Sequence, residues 1–582
     1  MHYRESVGRA VTSAPHPSVL AVSCGALGTV HPTCCVSSML QTSQYAVVLG
    51  LLCVLDLFPA RTWPALPAPA HVSERPVYAA YAGSENCRRC HEEAYTLWAG
   101  SNHRFAERPL QADRDRAAFA PARAFKHGSQ QTQVRLDGTN HSVTCVGLTR
   151  SNETHAAARV IGHQPLRQFL VPAPGGRWQV LEAAYDPVTN EWFNVYGTED
   201  RQPGEWGHWT GRGMNWNSMC AGCHNTRFRK NYDAATDSYR TVMAEPAVGC
   251  EACHGPLQAH LDWQARFGAS GRPDPTVPRL DRALVLDYCG FCHARRTDLT
   301  GDFKPGDRFG EHHDLVIPDT TDTYYPDGQV RDEDFEYAAF LGSRMHTNDV
   351  HCLDCHEPHS AKTRLPGNWL CLRCHNGGHP NAPVIQPVEH AHHKVRGFGA
   401  DGQAIDFDLT SYNPRSITET GGECVNCHLP QTVYMQRHRR HDHGLTSPDP
   451  LLTRQFGIPN ACNRCHLDKT VDWSVEWCDK WYGTRMDRPA RARTQWIARA
   501  RAGDTAARGP LVSLLEGNDS PYWKAVAARL LVRWARDPAV TAALLRSTAH
   551  PDPLVRVSAA RALTPLMDLP DAPAGLRLRR LL

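Results

Sequence analysis

Gly249-Cys250-Glu251-Ala252-Cys253-His254-Gly255-Pro256 contains a five-residue pattern, Cys-x-x-Cys-His, whose recurrence decides how the rest of the chain reads. The same pattern stands at Cys87/Cys90/His91, Cys220/Cys223/His224, Cys289/Cys292/His293, Cys352/Cys355/His356, Cys371/Cys374/His375, Cys424/Cys427/His428 and Cys462/Cys465/His466, eight occurrences in 582 residues. Two thiols three positions apart share one turn of chain. Both can add to the vinyl groups of one haem, and the next residue then turns an imidazole onto the iron from the same side. Zinc would use cysteine pairs without needing a histidine after each of them. A disulfide framework would fix neither the two-residue loop nor the histidine. The pattern therefore predicts eight covalently bound c-type haems, with His91, His224, His254, His293, His356, His375, His428 and His466 as proximal iron ligands.

The motifs use sixteen of the 22 cysteines. Cys24, Cys34, Cys35 and Cys53 precede the first motif, and Cys145 and Cys478 read as buried thiols. With 63 Lys+Arg against 60 Asp+Glu, the near-zero balance excludes a histone-like nucleic-acid binder. No run of 18 apolar residues exists, which excludes a polytopic membrane protein. Haem is attached to such chains outside an energy-transducing membrane, so export is expected. The apolar run Tyr45 to Leu55, followed by Ala68-Pro69-Ala70, reads as a signal h-region with a cleavage triplet. Residues 1–70 are thus expected to be an N-terminal extension and signal peptide, with an uncleaved anchor helix as the alternative. The expected location is periplasmic, or alternatively secreted or at the cell surface, with no transmembrane span after cleavage.

Residues 71–484 read as the octahaem domain, mainly α with long loops. Tyr95 and Trp98, three positions apart, suggest a helix leaving His91. Between 130 and 200 there is no motif, and runs such as Gln133-Val134-Arg135-Leu136 and Trp178-Gln179-Val180-Leu181 predict a small β excursion. From 206 onward, motifs recur at intervals of 30, 39, 63, 19, 53 and 38 residues, too close for a conventional side-chain core. The haems themselves are expected to build that core. Residues 485–582 change character. Ser520-Pro-Tyr-Trp-Lys-Ala-Val-Ala-Ala-Arg-Leu-Leu531 parallels Asp552-Pro-Leu-Val-Arg-Val-Ser-Ala-Ala-Arg-Ala-Leu563, a similarity to HEAT repeats that predicts stacked helical hairpins. This segment carries 17 Lys+Arg against 8 Asp+Glu, whereas the haem region is acidic. A basic tail suits docking to a redox partner protein or to a second copy of the chain; it equally suits clamping onto the chain's own haem region.

The second axial ligand is the functional question. The candidates are His103, His208, His260, His346, His359, one or two of the group His379, His390, His392 and His393, and His443. Only 9 methionines are present, so bis-histidine haems of low potential are expected.

These residues carry a family resemblance. Cys87-Arg-Arg-Cys-His-Glu-Glu-Ala-Tyr-Thr-Leu-Trp-Ala-Gly-Ser-Asn-His103, Trp216-Asn-Ser-Met-Cys-Ala-Gly-Cys-His224, Gly249 to Pro256, Cys352 to Ser360, Pro366 to His375 and Pro459 to His466 resemble the multihaem cytochromes c grouped with the tetrahaem cytochrome of ammonia oxidisers. The whole set also resembles multihaem proteins fused to HEAT or tetratricopeptide repeats. The resemblance implies an electron-transfer protein whose fold lies near hydroxylamine oxidoreductase and pentahaem nitrite reductase. Nitrite reductases of that superfamily use a lysine as proximal ligand of the catalytic haem, and here all eight motifs end in histidine, which disfavours that chemistry. Hydroxylamine oxidoreductase needs an open distal site and a linked tyrosine. Tyr324, Tyr325 and Tyr434 lie amid the motifs, but spacing singles none of them out. Electron transfer is therefore the leading expectation. The alternative is an oxidoreductase acting on a small nitrogen or sulfur compound at one five-coordinate haem, and a third reading makes the helical tail an assembly scaffold.

Overall fold

A computed structural model of the chain describes residues 75–277, 280–333, 335–399, 401–403 and 421–566. The expected signal segment lies outside these residues, as does the C-terminal stretch from 567. The first strands appear earlier than the sequence pattern suggests. A five-stranded antiparallel sheet has the order β1 (Glu107–Pro109), β6 (Arg159–Ile161), β7 (Arg167–Ala173), β8 (Arg177–Asp186), β9 (Glu191–Asn194). A four-stranded antiparallel sheet runs β2 (Arg123–His127), β3 (Gln130–Asp137), β4 (Asn140–Val146), β5 (Asn152–Ala156).

Strand β3 alternates, with Gln130, Thr132 and Val134 buried and the residues between them exposed, as a strand with one covered face must. The faces of the sheets meet over Phe119, Val134, Val143, Phe169, Val171 and Leu181. Strand β8 is buried along most of its length because both faces are covered. Leu181, Ala183 and Tyr185 enter this core, whereas Val180 packs with Met214 and Trp216 beside the second motif. The β region is larger than expected because β1, β2 and β5 are short and polar, with no apolar alternation to announce them.

Seven of the motifs lie on helical turns, in helices such as Glu251–His254, Cys352–Cys355, Trp369–His375 and Cys424–His428, and the first follows the short 3-10 turn Ser84–Arg89. In four motifs the histidine amide donates to the carbonyl of the first cysteine: His91 to Cys87 at 2.9 Å, His254 to Cys250 at 3.0 Å, and His356 to Cys352 and His466 to Cys462 at 2.9 Å each. That i to i−4 bond holds both thiols and the imidazole on one turn. Side-chain caps fix where several of these turns begin: Asn215 accepts from the Ser218 amide, Asp281 from Ala283 and Asn460 from Asn463.

Beyond the last motif come helices Pro489–Arg501, Arg508–Glu516, Pro521–Leu530, Pro538–Ser547 and Pro553–Leu563. Proline at the first helical position of four of them costs no hydrogen bond, since that amide would lack an intrahelical partner anyway. Their buried residues share one core with Leu286, Phe309, Ile317, Tyr337 and Phe340. Trp523 is buried there, and its Nε1 donates to the Gly342 carbonyl at 2.9 Å. The basic residues of this segment reach toward the motif region. Arg529 and Arg561 both bond Asp314 at 2.6 Å, Arg491 bonds Asp449 at 2.8 Å, and Arg501 donates to the carbonyls of Pro318 and Tyr324. Among the described residues no helix is long and apolar enough to cross a membrane.

Candidate haem sites

Five motif histidines have their Nδ1 committed. His224 donates to the Ala106 carbonyl at 2.8 Å, His428 to Thr446 at 2.9 Å, His375 to Pro383 at 3.0 Å and His356 to Ala361 at 3.3 Å. His293 instead donates to the Glu336 carboxylate at 2.9 Å. A ring that donates from Nδ1 carries its lone pair on Nε2, the tautomer and orientation that an axial iron ligand requires.

The second set of rings comes from distant parts of the chain. His260 faces His91 with ring centroids 6.2 Å apart, His103 faces His293 at 6.4 Å and His443 faces His356 at 6.4 Å. His390 faces His428 at 6.1 Å, with the rings within 14° of parallel, and His393 faces His466 at 6.1 Å. Two imidazoles bound to one metal through facing nitrogens at about 2.0 Å each have centroids roughly 6.2 Å apart. The five separations match that figure. Ligation also needs neutral rings. Burial, reinforced by the His293 charge, lowers His103 to about 4, and burial likewise lowers His356, His390 and His428. Among the described residues no cluster of three or more His, Cys, Asp or Glu is arranged for a free metal ion. Paired rings of this kind suit an iron that brings four ligands of its own.

Other candidates have different surroundings. His359 lies within electrostatic reach of His254 and donates from Nδ1 to Glu357 at 3.0 Å. The structure does not bring His208 to any motif. It is fully buried beside the β region, with Nδ1 against Thr210 at 2.8 Å and Nε2 against Gln130 at 3.0 Å, so both nitrogens are used. Its Gly-His-Trp-Thr-Gly context is a tight turn, closed by the Gly211 amide on the His208 carbonyl. His346 packs edge-on to Phe340 at 5.7 Å, and His379 accepts from the Asn381 amide. His392 stacks on Trp481 at 4.4 Å.

The attachment thiols also form a connected series. Cys87 and Cys250 are hydrogen-bonded neighbours, as are Cys289 and Cys352, Cys371 and Cys424, and Cys223 and Cys292. Cys253 lies within electrostatic reach of Cys289, Cys355 of Cys371 and Cys374, and Cys427 of Cys462 and Cys465. Taken in order of contact, the motifs follow the sequence first, third, fourth, fifth, sixth, seventh, eighth. The second attaches to the fourth as a spur.

Local pattern gave no notice of Glu336 or of the Ala106-Glu107 clamp. Glu107 is fully buried, pairs with Arg159, and accepts from Trp216 Nε1 and Asn225 Nδ2 at 2.7 Å each. With the Ala106 carbonyl on His224, strand β1 and the residue before it thus hold the second motif from both flanks.

The family model described as "Cytochrome c554 and c-prime" matches residues 206–255, a stretch that holds the second and third motifs. The crystal structure of the outer cell wall cytochrome OcwA matches with a TM-score of 0.47 and 18% identity, covering 83% of this chain and 100% of that one. No curated protein matches. The protein is a multihaem c-type cytochrome, a haem-binding protein of electron transfer.

Proposed function

We propose that all eight motifs carry haem and that the protein is an exported electron conduit. The observation that carries this reading is the set of five facing imidazole pairs at 6.1–6.4 Å. In this reading His260, His103, His443, His390 and His393 are the distal ligands of the first, fourth, fifth, seventh and eighth haems, and His359 serves the third. Bound haem supplies the one-electron chemistry. The chain's own residues orient the rings, keep them neutral and tie their outer nitrogens, which sets the potentials.

Electrons pass along the order of thiol contacts. Both ends of that order reach the surface, since Cys90 and Cys253 are exposed at one end and Cys465 at the other. Redox partner proteins dock at these ends. The helical tail, which we read as HEAT-like, braces the fourth and fifth haems rather than presenting its charge outward, since Arg529 and Arg561 bond Asp314. Export to the periplasm or cell surface follows from where c-type haem is attached.

Pulse radiolysis tests the conduit. In the loaded protein, an electron delivered at one end should equilibrate over all haems in one fast phase. Replacing Cys371 and Cys374 with serine removes the sixth haem and should isolate the seventh and eighth. Unchanged equilibration in that variant would contradict the proposed order.

A further inference from the structure

His224 stands apart from the other motif histidines. No histidine ring faces it at the 6.1–6.4 Å separation among the described residues, and the charged side chain whose field reaches its imidazole is Arg440. Arg440 sits on a hairpin, Gln431–Tyr434 paired with His438–His441, where it lies opposite Thr432. Its guanidinium is 4.3 Å from the centre of the Tyr434 ring and 5.9 Å from that of Phe335, and its Nε donates to His438 Nδ1 at 3.1 Å. The Tyr434 hydroxyl is bonded to Glu333. Tyr434 and Glu333 both lie within electrostatic reach of Cys220, one of the two thiols that would hold this haem. The hairpin tip reaches the same place from another side, since Met435 packs with Tyr196, whose hydroxyl points at Met214 beside Cys220.

His375 also lacks a facing ring, but its surroundings differ. It belongs to the continuous series of motifs, and its charged neighbours are the ligand rings His390 and His428. The second motif is a spur off the fourth, joined where the Cys292 thiol meets the Cys223 carbonyl at 3.6 Å. A relay through the other seven motifs does not need it. Its opposite side carries an arginine, a tyrosine and a histidine from one rigid hairpin, where the other motifs carry a second imidazole.

We propose that the haem of Cys220 and Cys223 takes a small inorganic anion at its distal position, drawn in by Arg440 and hydrogen-bonded by Tyr434. The proposal rests on the reading that this motif carries haem. The anion is of a size and charge to coordinate ferric iron directly, and electrons reach or leave it through the fourth haem. Arg440 supplies charge and direction to the ligand, as a guanidinium at a buried anion site does.

Azide, an anion, and imidazole, a neutral ligand, are the probes, used on the oxidised and fully loaded protein. Low-temperature EPR should show a high-spin ferric signal that azide converts to low spin. Arg440→Gln should weaken azide binding about tenfold and leave imidazole binding unchanged, and Arg440→Lys should restore most of the azide affinity. In the unmodified protein, added salt should weaken azide but not imidazole, a comparison that needs no variant to fold. Peptide mapping separates two kinds of failure. A haem on 220–223 with no high-spin iron, or with azide affinity indifferent to both Arg440 and salt, overturns the proposal and leaves the conduit standing. No haem on 220–223 overturns the proposal together with the eight-haem reading.

Discussion

The β region and the stretch from 346 to 451 are built in opposite ways. Between Glu107 and Val195 the chain buries large apolar side chains in plenty, among them Phe119, Val134, Phe169, Leu170, Leu181 and Phe193. Between 346 and 451 the buried hydrophobic residues among those described are Leu372 and Val395. The second stretch contains three motifs and three of the proposed distal histidines. Close packing of apolar material is what stabilises a folded chain. A segment with so few buried side chains must obtain that material elsewhere, and haem, a large apolar disc, is the source its sequence provides for. The difference teaches that one chain can use two kinds of core, one encoded in side-chain pattern and one in attachment sites.

The largest expected effect comes from withholding the cofactor. Chain expressed without haem attachment should lose the region from 220 to 466 to limited proteolysis, while strands β1–β9 stay protected. Equal digestion of both would erase the contrast. The next effect lies where the two regions meet. Glu107→Ala strips three buried partners of their acceptor and should cost about 3–5 kcal/mol in denaturant unfolding, as loss of one member of a buried ion pair does. It should also loosen the second motif, visible as a broadened spectrum of that haem.

A smaller effect belongs to the β region alone. Burial pushes the Glu182 carboxyl up to about 8. The folded protein therefore keeps a proton that the unfolded chain releases above about 4.3. Stability should fall as pH rises from there to about 8 and stay level beyond, because over that range the unfolded state binds fewer protons. Glu182→Gln removes the decline. The variant and the parent should melt together near pH 5, and at pH 9 the variant should be more stable by ~2 kcal/mol, a discounted conversion of the shift. Smallest is a potential. His293 is held by a carboxylate where the other tied motif histidines are held by carbonyls. Glu336→Gln weakens that donor and should raise the fourth haem's potential on the order of 60 mV, a tenfold change for one electron. Redox titration followed by EPR reads it.

Legibility divides along the same line. The attachment motifs were readable because covalent chemistry fixes five consecutive residues, and β3 because alternation is local. The distal ligands were not fixed by spacing. His260 serves a motif far before it and His103 one far after it, so their contexts carry no record of the partner. His208 had as good a local context as His103, but its neighbourhood is a turn buried against Gln130, and both of its nitrogens are taken. The Arg440 hairpin escaped notice for the reverse reason: its residues are ordinary one by one and gain meaning only from lying beside Cys220.

Near-infrared magnetic circular dichroism of the oxidised, fully loaded protein, read together with a covalent haem count by mass spectrometry, tests the paired-imidazole core most directly. Eight haems with at least six in bis-histidine coordination is the expected result. A majority of haems with methionine, water or no sixth ligand would contradict it.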